Sequence, residues 1–280
     1  VERAVFMTVL HRLFASGSDR SCDRWRRDCL IPGTKDLSLH HLYRAMAFLG
    51  EELQDQRGSL PCAPRCIKDL IEEGIFSSNR DLFTGMDLVF FDTTSIYFEG
   101  EGGDTLGEYG HSKDSRPDLK QMVVGAVIDD TGRPVSCEMM PGDTTDVTTL
   151  VPVSERIRSR FGIGEFCVVA DRGMISARTL TELEEKRLSY ILGVRMRRVR
   201  KVSEEVLSRP GRYHEVPTGD KEPLKVKEVV LEGRRFIVCL NEAQARKEAL
   251  DRQMILDSLK RQAQAGAQGT GGQQGLPQVP

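Results

Sequence analysis

Apolar residues recur at helical spacing over roughly the first eighty positions and then gather into short, nearly unbroken runs. The segment "VERAVFMTVLHRLFASG" keeps an apolar stripe and stops at Gly17. "LSLHHLYRAMAFLGEELQ" repeats the stripe behind Ser38, a residue type that caps helix N-termini. Residues 58–64 hold Pro61 and Pro64 and predict a break, followed by a short helix to about Glu73. From Met86 the pattern changes: "DLVFFDTTS", "MVVGAVID" and "PVSCEMMPG" predict three strands, with the turn "DDTGRP" closing a hairpin between the last two.

A helix is predicted over "TTDVTTLVPVSERIRSRFG", with Val147, Leu150, Val151 and Ile157 on its buried face. "FCVVAD" is apolar enough for a buried strand, "SARTLTELEEKRL" alternates as an amphipathic helix, and "SYILGVRM" predicts another strand. This order predicts an α/β sheet flanked by helices, its first three strands an antiparallel meander. "KVKEVVLE" and "RRFIVCL", separated by a turn at Gly233, predict an inserted β-element. A polar helix follows over residues 242–262, and residues 263–280 lack the apolar content for a core, which predicts a disordered tail. The chain thus divides into a helical region (1–85), an α/β core (86–195), a β-rich insertion (196–241) and a polar helix with its tail (242–280).

At 280 residues, with 39% hydrophobic and 29% charged residues, the composition is that of a folded globular protein. No run of about 18 apolar residues spans a membrane, and the N-terminus lacks the basic-then-apolar order of a secretory signal, so a cytoplasmic protein is expected. The seven cysteines are odd in number and scattered, which predicts reduced thiols. Cys62 and Cys66 resemble half of a zinc site, but no second pair completes it.

The net charge of −2 conceals local asymmetry. From Asp81 to Glu108 there are seven acids and no Lys or Arg, whereas Arg195, Arg197, Arg198, Arg200 and Lys201 crowd into one stretch. An acidic metal site beside a phosphate backbone would account for both; a solvated turn accounts equally well for the basic cluster alone.

Asp92 and Asp171 each close a strongly apolar strand run. Side chains at strand ends face the crevice where α/β proteins bind ligands, and a carboxylate there is costly unless it is paired or bound to a metal. Capping of the following turn is the plainer reading for either one alone. Together, two carboxylates on adjacent strands suit Mg²⁺ or Mn²⁺ and hence phosphoryl transfer. No Gly-x-Ser-x-Gly elbow suggests a serine nucleophile.

Four strings in order, "FFDTTSIYFEGEG", "GHSKDSRPDLKQMVVGAVIDDTGRPV", "MPGDTTDVTTL" and "VVADRGMIS", resemble insertion-sequence transposases of the DDE class, in the group typified by insertion sequence four. The resemblance runs from about Leu39 to Leu240. It implies an RNase H-like core, a mixed sheet flanked by helices, in which Asp92 and Asp171 are the first and second catalytic, metal-binding aspartates. It also implies a divalent cofactor, Mg²⁺ or Mn²⁺, double-stranded DNA (transposon ends and target) as partner, and assembly of more than one subunit on it.

Lys113, Arg116, Lys120 and Arg172, with Arg195, Arg197, Arg198, Arg200 and Lys201, are the candidate DNA contacts; a local pair such as Arg116 with Asp114 or Asp118 is the alternative for the loop residues. His111 is a weaker candidate for the site. The third acid implied by the resemblance, a glutamate on a later helix, has no counterpart in this sequence. That predicts a truncated transposase, with a non-catalytic DNA-binding remnant as the alternative. Asp143 and Asp146 are conceivable substitute ligands, although turn formation and helix capping explain both.

Overall fold

The computed structural model describes residues 1–60, 63–79, 87–100, 105–194, 196, 199–219 and 221–269. The chain forms two compact units, Val1–Val194 and Arg195–Pro280.

The first unit opens with helices α1 (Glu2–Phe14), α2 (Asp19–Trp25) and α3 (Leu39–Leu49), which close over Ala4, Met7, Cys22, Leu42 and Ala45. Ser18 caps α2 by accepting from the Ser21 amide, and Ser38 forms a capping box with His41 at the start of α3. Helix α4 (Ile67–Asn79) runs six residues beyond the end predicted at Glu73.

The five strands β1 (Leu88–Tyr97), β2 (Gln121–Asp129), β3 (Pro134–Pro141), β4 (Cys167–Ala170) and β5 (Ser189–Leu192) stand in the order β3-β2-β1-β4-β5. β1, β2 and β3 pair antiparallel, while β4 lies parallel to β1 and β5 parallel to β4. An antiparallel meander extended by two parallel strands, with helices as the crossovers, is the RNase H-like arrangement, as expected from the sequence.

Strand periodicity sorts this sheet into two faces. Val89, Phe91, Val127 and Val168 point to one side and pack under α5 (Asp146–Phe161) and α6 (Ala177–Glu185), against Leu150, Ile157 and Leu183. Leu150, Val151 and Ile157 are buried as predicted; Val147, one turn nearer the N-terminus of α5, is only partly so. The other side carries Phe90, Ile96 and Ile191, which are 37%, 45% and 57% exposed. The apolar run of β1 is thus of the kind expected for a strand covered on both faces, while one face is open.

Charges hold the edge and flank of this sheet. Lys68 on α4 donates to the Cys137 carbonyl (2.8 Å), and Glu72 accepts from the Cys137 amide (3.0 Å), so α4 occupies backbone groups on the outer edge of β3. Behind them Arg156 and Arg160 of α5 meet Asp69, Glu72, Glu73 and Glu138 in a network whose central side chains are almost fully buried.

Gly142, in the turn after β3, is required by close approach: a Cβ there would stand 2.1 Å from the Gln121 carbonyl oxygen and 2.3 Å from that of Glu108. Both contacts are backbone, so neither yields by a rotamer change. Gly142→Ala is expected to lower stability by about 1–3 kcal/mol or more, the cost of overpacking. A urea midpoint equal to that of the parent chain would contradict this.

The second unit contains the sheet β6 (His214–Thr218), β7 (Lys221–Leu231) and β8 (Arg234–Leu240), antiparallel in that order, and the helix α7 (Glu242–Gly269). The turn at Gly233, where φ is +75°, joins β7 to β8 as predicted. Lys225–Glu242 (2.8 Å) and Arg246–Glu222 (2.9 Å) fasten the start of α7 to β7. The helix extends to Gly269, past the end predicted at residue 262; of the tail expected to be disordered, residues 270–280 lie outside the described residues. Among the described residues no helix is long and apolar enough to cross a membrane.

Candidate active site

Asp92 lies within β1, and Asp171 follows the last residue of β4. The parallel ladder between these strands pairs Phe90 with Val169 and Phe91 with Ala170, so the next residue on each strand is an aspartate. Residues two apart share a face; Asp92 therefore stands beside Asp171 on the side of Phe90 and Val169, the open side of the sheet. Both aspartates are exposed, and they line one shallow cleft with Phe90, Ala126, Ile128 and Val169.

Local contacts fix the Asp92 carboxylate and the backbone beside Asp171. The Thr93 amide donates to Asp92 Oδ1 (2.8 Å). Gly193, just past β5, donates its amide to the Ala170 carbonyl (3.1 Å), and a Cβ on it would come within 2.9 Å of the Arg172 nitrogen and 3.4 Å of Asp171 Oδ1. Sequence reasoning passed over Gly193; its only signal was a glycine at the end of the run "SYILG". Asp171 itself is extended, with φ −75° and ψ 165°, ahead of a short 3₁₀ turn over Arg172–Met174.

Among the described residues no set of three His, Cys, Asp or Glu side chains is placed to hold a metal ion. Asp143 is exposed, and Asp146 is engaged elsewhere: its Oδ1 accepts from Thr93 Oγ1 (2.7 Å) and its Oδ2 lies 3.3 Å from Lys113 Nζ. His111 is exposed in the loop before Lys113. Of the half-site cysteines Cys66 is buried, and Cys62 lies outside the described residues.

The loop between β1 and β2 delivers its cations differently from one another. Lys113 points inward, its ammonium donating to the Thr93 carbonyl and to Thr93 Oγ1 (3.0 Å), while its amide donates to Ser95 Oγ (2.9 Å). Arg116 forms a two-pronged pair with Asp118 (2.9 Å for each contact) and lies over the Tyr97 ring at 5.4 Å, the local pairing that the sequence left open. The hydrogen bond from Arg116 holds the Asp118 carboxyl below the usual range, and the same bond raises Arg116. Lys120, immediately before β2, is half-buried.

Arg172 is exposed immediately after Asp171. In the basic stretch of the second unit Arg200 pairs with Glu204 (2.8 Å) and Lys201 with Glu232; Arg195, Arg197 and Arg198 lie outside the described residues.

As a donor set, two exposed carboxylates on neighbouring strands fit a hard divalent cation that retains waters and takes its remaining ligands from a phosphate. They do not fit a closed zinc site, which needs four ligands of the nitrogen or sulfur type.

The sequence model of the transposase DDE domain family matches residues 83–249. A search of curated proteins gives no match. Among solved structures, the piggyBac transposase synaptic complex with hairpin DNA is similar at 14% identity and a TM-score of 0.40, over 86% of this chain and 52% of that one. The Mos1 transposase paired-end complex with the left transposon end follows at 10% identity and a TM-score of 0.26, over 67% of this chain and 57% of that one. The chain spans little more than half the length of either transposase chain.

Proposed function

The chain belongs to the transposase DDE domain family, and we propose that Asp92 and Asp171 bind Mg²⁺ or Mn²⁺ for phosphoryl transfer on double-stranded DNA. The reaction is cutting at transposon ends and joining of those ends to a target. The observation that carries the reading is the register of β1 and β4, which sets the two aspartates side by side on the open face at the point where the strands part.

When bound, a divalent ion at this pair supplies Lewis-acid stabilisation of the charge that builds on phosphoryl oxygens and lowers the pKa of water or of a 3′-hydroxyl. The chain's own residues bind and orient. Asp92 and Asp171 provide oxygen donors, the Thr93 amide fixes the rotation of Asp92, and the close approach of Gly193 fixes the backbone at Asp171. Arg172 offers an exposed cation beside the pair for a DNA phosphate. Arg200 and Lys201, in exposed ion pairs with Glu204 and Glu232, can exchange glutamate for phosphate. Work on a duplex by more than one subunit, in the cytoplasm, completes the reading.

Nicking and strand transfer on a supercoiled plasmid bearing the element's ends test it, with Mg²⁺ or Mn²⁺ present. The expected result is activity that falls about 100-fold or more in Asp92→Ala and in Asp171→Ala, the scale of losing one electrostatic stabiliser of the transition state. Activity unchanged in either variant contradicts the assignment.

One observation favours a second reading, a non-catalytic DNA-binding form: no third acid among the described residues joins the pair. That form binds duplex with strong salt dependence and nicks nothing, in the parent chain and in both variants alike.

A further inference from the structure

We propose that Lys113 is a positioning residue for the metal site, acting through Thr93 and Asp146 to set the separation of Asp92 and Asp171. The proposal rests on the reading of those two aspartates as the metal ligands.

The ladder between β1 and β4 ends at the pair Phe91–Ala170. No strand pairing therefore spans the gap between the two aspartates, one residue further on. Thr93, next to Asp92, still pairs with Gly125 of β2, but its side toward β4 is unpaired.

Three side chains bridge that gap from the covered face of the sheet. Lys113 Nζ reaches both the carbonyl and the hydroxyl of Thr93, and Lys113 N–H donates to Ser95 Oγ two residues on. Thr93 Oγ1 in turn donates to Asp146 Oδ1 (2.7 Å), and Asp146 Oδ2 lies 3.3 Å from Lys113 Nζ. The same Asp146 Oδ2 comes within 3.6 Å of where a Cβ on Gly173 would stand, two residues past Asp171. The Lys113–Thr93–Asp146 set thus touches the segment after the first aspartate and abuts the segment after the second.

Its charges suit this task. Asp146 begins α5, where the helix dipole favours an anion, and Lys113 neutralises it, so this carboxylate does not compete for a cation. Thr93 is held at its carbonyl and its hydroxyl, so its amide stays aimed at Asp92 Oδ1 (2.8 Å). An ammonium engaged by three oxygens is poorly placed to serve instead as a mobile phosphate contact, the role the sequence suggested for Lys113.

The test is Mn²⁺ binding by the full chain, read as loss of the free-ion signal in electron paramagnetic resonance, with thermal unfolding in metal-free buffer measured beside it. Lys113→Met is expected to weaken Mn²⁺ binding tenfold or more while its metal-free unfolding midpoint stays within a few degrees of the parent. Lys113→Arg is expected to restore affinity to within a few-fold, which a merely structural role does not require. Should Lys113→Met fail to fold, Thr93→Val removes only the hydroxyl link and is expected to weaken binding several-fold.

Parent-like Mn²⁺ affinity in Lys113→Met, or in Thr93→Val where that variant stands in, overturns the proposal alone. A parent chain that binds no Mn²⁺, or an Asp92→Ala chain that binds it unchanged, overturns the metal-site reading and this proposal together.

Discussion

Arg160→Met is expected to destabilise the protein by about 3–5 kcal/mol, the cost of removing one partner from a buried ion pair. The Arg160 side chain is 1% exposed and stands 3.2 Å from Asp69 Oδ1, 2.7 Å from Glu72 Oε2, 3.0 Å from Glu73 Oε1 and 3.2 Å from Glu138 Oε1. Burial alone favours its neutral form, but Glu72, Asp69 and Glu73 outweigh that and raise its pKa.

Methionine fills much of the volume and supplies no charge, so Asp69 and Glu138, each 1% exposed at the side chain, keep only part of their compensation. The remaining cations, Arg156, Lys68 and Arg65, cannot reproduce the four contacts from one position. The control is Arg178→Ala, which removes an exposed pair with Glu182 and is expected to change stability by less than about 1 kcal/mol. Denaturant unfolding of both variants checks the contrast; a loss below about 1 kcal/mol in Arg160→Met would show that the network contributes little.

The same network marks where the sequence stops being legible. Strands β1 to β5 and helices α5 and α6 were readable because burial follows their period: apolar runs in "LVFF" and "CVVA", and Leu150, Val151 and Ile157 at helical spacing. Arg156 and Arg160, by contrast, stand one turn apart in "SERIRSRF" and have the pattern of a solvated stripe. Only the placement of α4 and β3 against them makes them interior residues.

Helix α2 was missed because its seven residues bury a single apolar side chain, Cys22. β6 was missed because all five of its residues are exposed, so no alternation marks it. At the candidate site, Asp92 and Asp171 stood out because each closes an apolar run, although β1 continues to Tyr97 and only Asp171 lies at a strand end. The role of Lys113 did not, because a lysine in a polar loop looks the same whether it faces a phosphate or the Thr93 carbonyl.

Asp92→Ala and Asp171→Ala are each expected to lower affinity for Mn²⁺ by about 100-fold or more. Losing a hydrogen-bond partner of a metal ligand already costs about 10–100-fold, and losing one of two carboxylate donors costs more. The two effects are not expected to add, since one carboxylate alone on an open sheet face holds a hydrated ion weakly. Exposure of both side chains means that neither substitution opens a cavity, so the variants should unfold at the parent midpoint without metal.

Calorimetric titration of Mn²⁺ into the parent chain and these two variants is therefore the most direct measurement of whether the aspartates form one site. The account predicts saturable binding in the parent that is lost in Asp92→Ala and in Asp171→Ala alike. Binding that survives in both variants with the parent's affinity would contradict it.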